Sequence, residues 1–167
     1  MEHKIIDTVW DETPINITQE ANFIWSIANK LRGSYMPDKY GDVIIPMTII
    51  RRFECALAKT KPEVVAQYKA NPSFPPKALC RLSGFPFYCV SEYDLAELCN
   101  DPDAIADNFK AYIEGFSQNV QDILEQLEMK KHIDKMEKDG CLYSVVKAFS
   151  ELDLSIETFA STRMGYV

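Results

Sequence analysis

The stretch Gln19-Glu20-Ala21-Asn22-Phe23-Ile24-Trp25-Ser26-Ile27-Ala28-Asn29-Lys30-Leu31-Arg32-Gly33 decides the fold class. Phe23, Ile24, Ile27, Ala28 and Leu31 recur at i, i+1, i+4, i+5 and i+8, the stripe of an amphipathic helix. Thr18 is placed to cap that helix, Glu20 sits near the positive end of its dipole, and Gly33 supplies the left-handed residue that ends it. Upstream, residues 1–17 mix Trp10, Pro14 and scattered charges without a period and read as a tail.

Downstream, Pro37, Asp38 and Gly41 mark a connection, and Val43 to Leu57 is densely apolar. Its β-branched content suggests a strand, but Ile49, Ile50, Phe53, Ala56 and Leu57 follow helical spacing. Because proline is tolerated in a first turn and biases its predecessor towards extended geometry, Val43 to Ile45 should lead in and Pro46 should open a largely buried central helix. Lys61-Pro62 opens a short helix through Tyr68, and three prolines make Asn71 to Pro76 irregular. A short helix over Lys77 to Leu82 and an extended piece over Phe85 to Val90 follow. Ser91 with Asp94 resembles a cap for a helix through Cys99, and Asp101-Pro102-Asp103 starts another over Ile105 to Phe116. Val120, Ile123, Leu124 and Leu127 form a stripe ending near Lys130-Lys131. A charged segment, His132 to Asp139, then runs to Gly140, and Leu142, Val145, Val146, Phe149 and Leu152 make the next helix before a short one at Ile156 and Phe159. The expected fold is mainly all-α, a multi-helix orthogonal bundle with at most one short strand pair near Phe85 to Val90, in one domain over 18–167.

Composition narrows the function classes. The 167 residues, 47% hydrophobic and 26% charged, suit one soluble domain with its own core. No apolar run reaches membrane-spanning length and the N-terminus lacks an export signal's layout, so a cytoplasmic location with no membrane contact is expected. Five dispersed cysteines are a poor disulfide framework, and His3 and His132 lie far from any close Cys pair, so no metal site is expected. A net charge of −7 argues against a domain that binds nucleic acid by bulk electrostatics.

Catalytic patterns are missing from the sequence. Six isolated glycines build no dinucleotide or S-adenosylmethionine loop after a strand. Neither histidine lies near a plausible nucleophile in sequence, and Asn71-Pro72-Ser73-Phe74 lacks the strand and the second proline of the base-holding loop of amino-methyltransferases. No catalytic or cofactor-binding residue is therefore assigned to this chain. The candidate contacts with DNA or another subunit are Lys30, Arg32 and Lys39 around the end of the first helix, and Arg51 and Arg52 within the apolar one. Solvated helix-surface charge with snorkelling stems is the plainer reading of these five. The sharper one pairs an arginine with a carboxylate or phosphate at an interface.

Three phrases occur in order: Trp25-Ser26-Ile27-Ala28-Asn29-Lys30-Leu31-Arg32-Gly33, Tyr40-Gly41-Asp42-Val43-Ile44-Ile45-Pro46, and Ile50-Arg51-Arg52-Phe53. They resemble the "W-x-I-A-x-x-L-R-G", "Y-G-x-V-I-L-P" and "L-R-R" phrases of the N-terminal helical domain of the modification subunit of type I restriction-modification enzymes. The resemblance extends through Ser117 to Leu124, Leu142 to Phe149 and Arg163-Met164-Gly165-Tyr166-Val167, covering about residues 20 to 167. Departures are mild, such as Ile45 and Ile50 where leucine is usual.

The resemblance implies a parent site-specific DNA methyltransferase that moves a methyl group from S-adenosylmethionine to adenine N6, with the cofactor loop and the Asn-Pro-Pro-aromatic motif downstream of these residues. It also implies a specificity subunit, a second modification subunit and, in the full complex, a restriction subunit as partners, with DNA reached through the assembly. On this reading the chain is a noncatalytic domain for assembly with the specificity subunit and closure around DNA, inactive by itself. Two other classes remain open: a freestanding helical interaction or regulatory module, and a small helical enzyme relying on His132.

Overall fold

A computed structural model describes residues 14–152, with side chains described from Ala21 onwards, and every regular element among them is helical. The tail before Pro14 and the readings at Ile156, Phe159 and Arg163 to Val167 lie outside the described residues. The first helix, α1, spans Pro14–Leu31 and so begins before the expected Thr18 cap. A proline fits there because first-turn N–H groups have no helical partner to lose. Gly33, at φ +93°, ends α1 as the sequence predicts.

Helix α2, Gly41–Leu57, departs from expectation at its start. Instead of opening at Pro46 it begins at Gly41 and carries Pro46 in its second turn. The carbonyl of Asp42 forgoes its helical donor, while the proline ring is buried with Val43, Met47 and Ile50 on one face. On the opposite face Ile45 is exposed and Thr48, Arg52, Cys55 and Ala56 are half-buried, so α2 is an amphipathic wall and not the central helix.

Helices α3 (Lys61–Ala70) and α4 (Pro76–Ser83) flank the irregular proline-rich turn and pack on each other. Next, α5 (Leu95–Leu98) is capped by Asp94, whose carboxylate accepts the Glu97 N–H at 2.7 Å. Ser91, the expected cap, instead accepts the Tyr93 N–H and shapes the preceding turn. Helix α6 is Ile105–Glu114, entered through a 3₁₀ turn at Pro102–Ala104.

Where one helix was expected from Ser117 to Lys131, followed by a charged segment, there are two helices, α7 (Gln118–Gln126) and α8 (Met129–Asp139). Glu128 between them adopts φ 55°, a left-handed conformation uncommon outside glycine. The second helix follows from a sparse stripe, Met129, Ile133 and Met136, buried at i, i+4 and i+7 amid charged neighbours.

The centre of the fold is α9, Leu142–Ser150, which packs against α1, α2, α5, α6 and α8. Leu142, Val145, Val146 and Phe149 are buried on one stripe, and Phe149 meets the Phe23 ring edge-on with centroids 5.0 Å apart.

The expected extended piece after α4 forms one antiparallel bridge, Cys89 to Phe116. The Val90 N–H donates to Gly115 O and the Ser117 N–H to Tyr88 O, both at 2.8 Å. The approach is so close that a Cβ on Gly115 would lie 2.6 Å from Ser91 Cβ and 2.8 Å from Ser91 N. Gly115→Ala must push backbone apart, with an expected cost of about 1–3 kcal/mol. Urea unfolding tests this, and an unchanged midpoint would show that the bridge is slack.

Candidate functional site

The described residues form an exposed corner between α1 and α2 and bury a carboxylate, Glu54, on α2. The corner forms because Gly33 turns the chain, letting the Ser34 and Tyr35 N–H groups donate to Leu31 O at 3.0 and 2.9 Å. A 3₁₀ turn, Pro37–Lys39, then leads through Tyr40 into α2. Arg32 and Lys39 are exposed on this corner, Lys30 is half-buried beside it, and Met36 is 69% exposed. Trp25, one and a half turns before the end of α1, is 65% exposed. Among the described residues Lys30, Arg32 and Lys39 join no ion pair, whereas Lys110, Lys130, Lys131 and Lys135 on α6 and α8 each hold a carboxylate. Asp38 and Asp42 lie in the same stretch, so the corner mixes charges instead of forming a basic patch.

From the other side α8 grips this corner. The Tyr35 hydroxyl and His132 Nδ1 are 2.7 Å apart, Ser34 Oγ donates to Asp139 Oδ2, and Lys135 Nζ lies 5.0 Å over the Tyr35 ring. Burial, reinforced by nearby Cys141, Asp139 and Asp42, pushes the Tyr35 phenol up to about 12. Burial also lowers the His132 pKa, with Lys131 and Lys135 acting in the same direction against Asp42 and Glu128. His132 is thus placed as an aromatic hydrogen-bonding anchor for Tyr35.

An imidazole depressed below its ordinary 6.5 in the fold takes up its proton first in the unfolded chain. Its contribution to stability is therefore complete above pH 6.5 and is lost as pH falls through the folded-state value. Relative to His132→Gln, the wild-type chain should lose stability between pH 7 and pH 5, measured by urea melts across that range. Parallel pH profiles would refute the assignment.

The structure separates the paired arginines of α2. Arg51 is 17% exposed and works within the chain: its Nε donates to Leu152 O at 2.6 Å and its Nη1 to Glu54 Oε1 at 2.5 Å. Arg52, the adjacent residue, is half-buried on a different side of the helix. Glu54, 8% exposed, also accepts the Leu95 N–H at 2.8 Å and the Tyr112 hydroxyl at 2.6 Å, both on Oε2. Burial, and then the Glu54 charge, raise the Tyr112 pKa well above its ordinary value. Lys61 lies over the Tyr112 ring and donates to Tyr93 O. One carboxylate so joins α2 to the start of α5 and to α6. Its signal in the sequence is a glutamate at the stripe position between Ile50 and Leu57, where an apolar residue belongs.

Other sequence candidates are placed in structural roles. Asn71 Oδ1 accepts the Ser73 N–H in a side-chain turn on the surface. Cys89 is buried and its thiol is pushed up to about 11, which suppresses the reactive thiolate. Among the described residues no group of three His, Cys, Asp or Glu side chains could hold a metal ion, and no helix is long and apolar enough to cross a membrane.

An all-α domain whose first two helices meet at an exposed corner gripped by a later helix is the class of protein these features define. The family profile described as the HsdM N-terminal domain matches residues 21–149, and the chain belongs to that family, the N-terminal domain of the methyltransferase subunit of type I restriction-modification systems. No curated protein and no solved structure gives a match.

Proposed function

We propose that this domain is the noncatalytic assembly part of a DNA adenine-N6 methyltransferase subunit, docking the specificity subunit and a second modification subunit and helping to close the complex around DNA. S-adenosylmethionine chemistry belongs, on this reading, to another part of the parent polypeptide. The observation that carries it is the α1–α2 corner of a member of the HsdM N-terminal family. There Arg32, Lys39 and Met36 are exposed, and the two cations join no ion pair among the described residues. An acidic domain whose local cations are mixed with Asp38 and Asp42 suits a protein partner better than phosphate as its primary contact. Arg51, engaged with Glu54 and Leu152, supports the fold, so docking rests on Arg32 and Lys39 with Lys30 beside them.

The test is the Arg32→Glu/Lys39→Glu double variant in the full-length polypeptide, with assembly on the co-encoded specificity subunit followed by sedimentation velocity. About tenfold weaker assembly with unchanged helical content is expected. Undiminished assembly rejects the corner as a docking surface. Separately, titrating this 167-residue chain with S-adenosylmethionine should give no binding heat, and clear affinity would reject the noncatalytic assignment.

A further inference from the structure

We propose that His132, acting through the Tyr35 hydroxyl, is the positioning residue that holds the α1–α2 corner in its docking conformation. This rests on the docking role proposed for that corner.

The corner has little backbone support of its own. Between Leu31 and Gly41 its backbone N–H groups donate to nearby carbonyls, those of Ala28, Leu31, Met36 and Pro37, a local bridge joins Arg32 to Tyr35, and Met36 to Lys39 are all exposed. Besides the packing of Tyr35 and Tyr40 on the core, a polar stripe on α8 ties it to the body. His132, Lys135 and Asp139 fall at i, i+3 and i+7, so they share one helix face, and all three meet the corner. The neighbouring stripe, Met129, Ile133 and Met136, is buried in the core. One helix thus uses one face to pack and the next to grip a single loop.

Within that grip the Tyr35–His132 contact is the inner one. Tyr35 is 8% exposed and its ring stands 5.6 Å from the imidazole, centroid to centroid. The ring is buried and its hydroxyl, at a part-buried contact, finds its partner in His132 Nδ1. The outer contacts, Ser34 with Asp139 and Lys135 with Asp139, involve exposed side chains and hold more weakly. Because Arg32 and Lys39 flank Ser34-Tyr35, fixing Tyr35 fixes where both cations are presented. A corner ordered beforehand loses less conformational freedom when a partner docks.

The experiment uses the full-length polypeptide and its specificity subunit, with assembly affinity, melting temperature and amide exchange of residues 32–40 as readouts. Tyr35→Phe deletes only the hydroxyl, His132→Leu deletes the ring nitrogen, and His132→Asn keeps a hydrogen-bonding atom near the position of Nδ1. The first two should each speed exchange at the corner and weaken assembly about three- to tenfold. Their combination should be no worse than either alone, and His132→Asn should restore most of the affinity.

Unchanged corner exchange and affinity in Tyr35→Phe and His132→Leu would overturn the positioning role even where Arg32→Glu/Lys39→Glu weakens assembly. Uniformly faster exchange across all helices would also overturn it, as the mark of a merely structural contact. If charge reversal at Arg32 and Lys39 leaves assembly intact, the docking reading fails and takes the positioning role with it.

Discussion

Glu54→Ala is expected to destabilise the domain by about 3–5 kcal/mol, because it removes the shared acceptor of a buried network and leaves its donors behind. Arg51 Nη1, the Leu95 N–H and the Tyr112 hydroxyl all converge on this carboxylate. Each lies where water has limited access, so a lost partner is poorly replaced by solvent. The Leu95 N–H also opens α5, and with Asp94 supplying only the Glu97 N–H it has no other described acceptor. Glu54→Gln keeps an acceptor but loses the charge facing Arg51, and should cost about 1–3 kcal/mol. Replacing Arg51 and Glu54 together by methionine should cost less than Glu54→Ala, since no uncompensated charge remains. Urea unfolding of the three variants decides the matter. A Glu54→Ala cost below about 1 kcal/mol would mean that the network adds nothing net.

Phe149→Ala should be of similar size, about 3–5 kcal/mol, for a different reason. Phe149 is 0% exposed, packs edge-on against Phe23 and lies on α9, the helix that touches α1, α2, α5, α6 and α8. Removing the ring opens a cavity where several helices meet, and collapse towards one leaves space beside another. Against a typical total of about 5–15 kcal/mol, the loss would populate unfolded chains visibly at growth temperature. Phe149→Leu, which keeps most of the volume, should cost about 1.5 kcal/mol or less. Thermal melts of both variants are the check. Equal effects of alanine and leucine would show that shape and not volume governs the site.

Glu54 and Phe149 differ in how plainly the local sequence marks them. Phe149 belongs to the regular spacing Leu142, Val145, Val146, Phe149, which by itself announces a buried helix stripe. Yet that spacing is no stronger than that of α1, and only packing makes α9 the hub. Val43 to Leu57, richer in apolar residues, becomes a wall because its neighbours bury one face fully and the other only in part. Composition records how apolar a segment is, and burial depends on what arrives from elsewhere in the chain. The split at Glu128 was hidden for a related reason: α8 buries three residues among many charges, so its stripe is sparse.

The candidate site divides the same way. Lys30, Arg32 and Lys39 could be named from the sequence because charge at a helix end and a turn marked by Gly33 and Pro37 are local facts. Arg51 and Arg52 looked equivalent there. Helical geometry turns adjacent side chains about 100° apart, and only the arrival of Leu152 and the placing of Glu54 drew Arg51 inside. Tyr35 and His132 are 97 positions apart, and Glu54 and Tyr112 are 58 apart. By itself the sequence determined an all-α chain, the family it belongs to and the corner where its first helix turns, since periodicity, capping and ordered phrases act over a few residues. The tertiary structure alone decided which helix is central, which charge is buried and which residues grip the corner, because those outcomes depend on contacts between segments whose meeting no local pattern encodes.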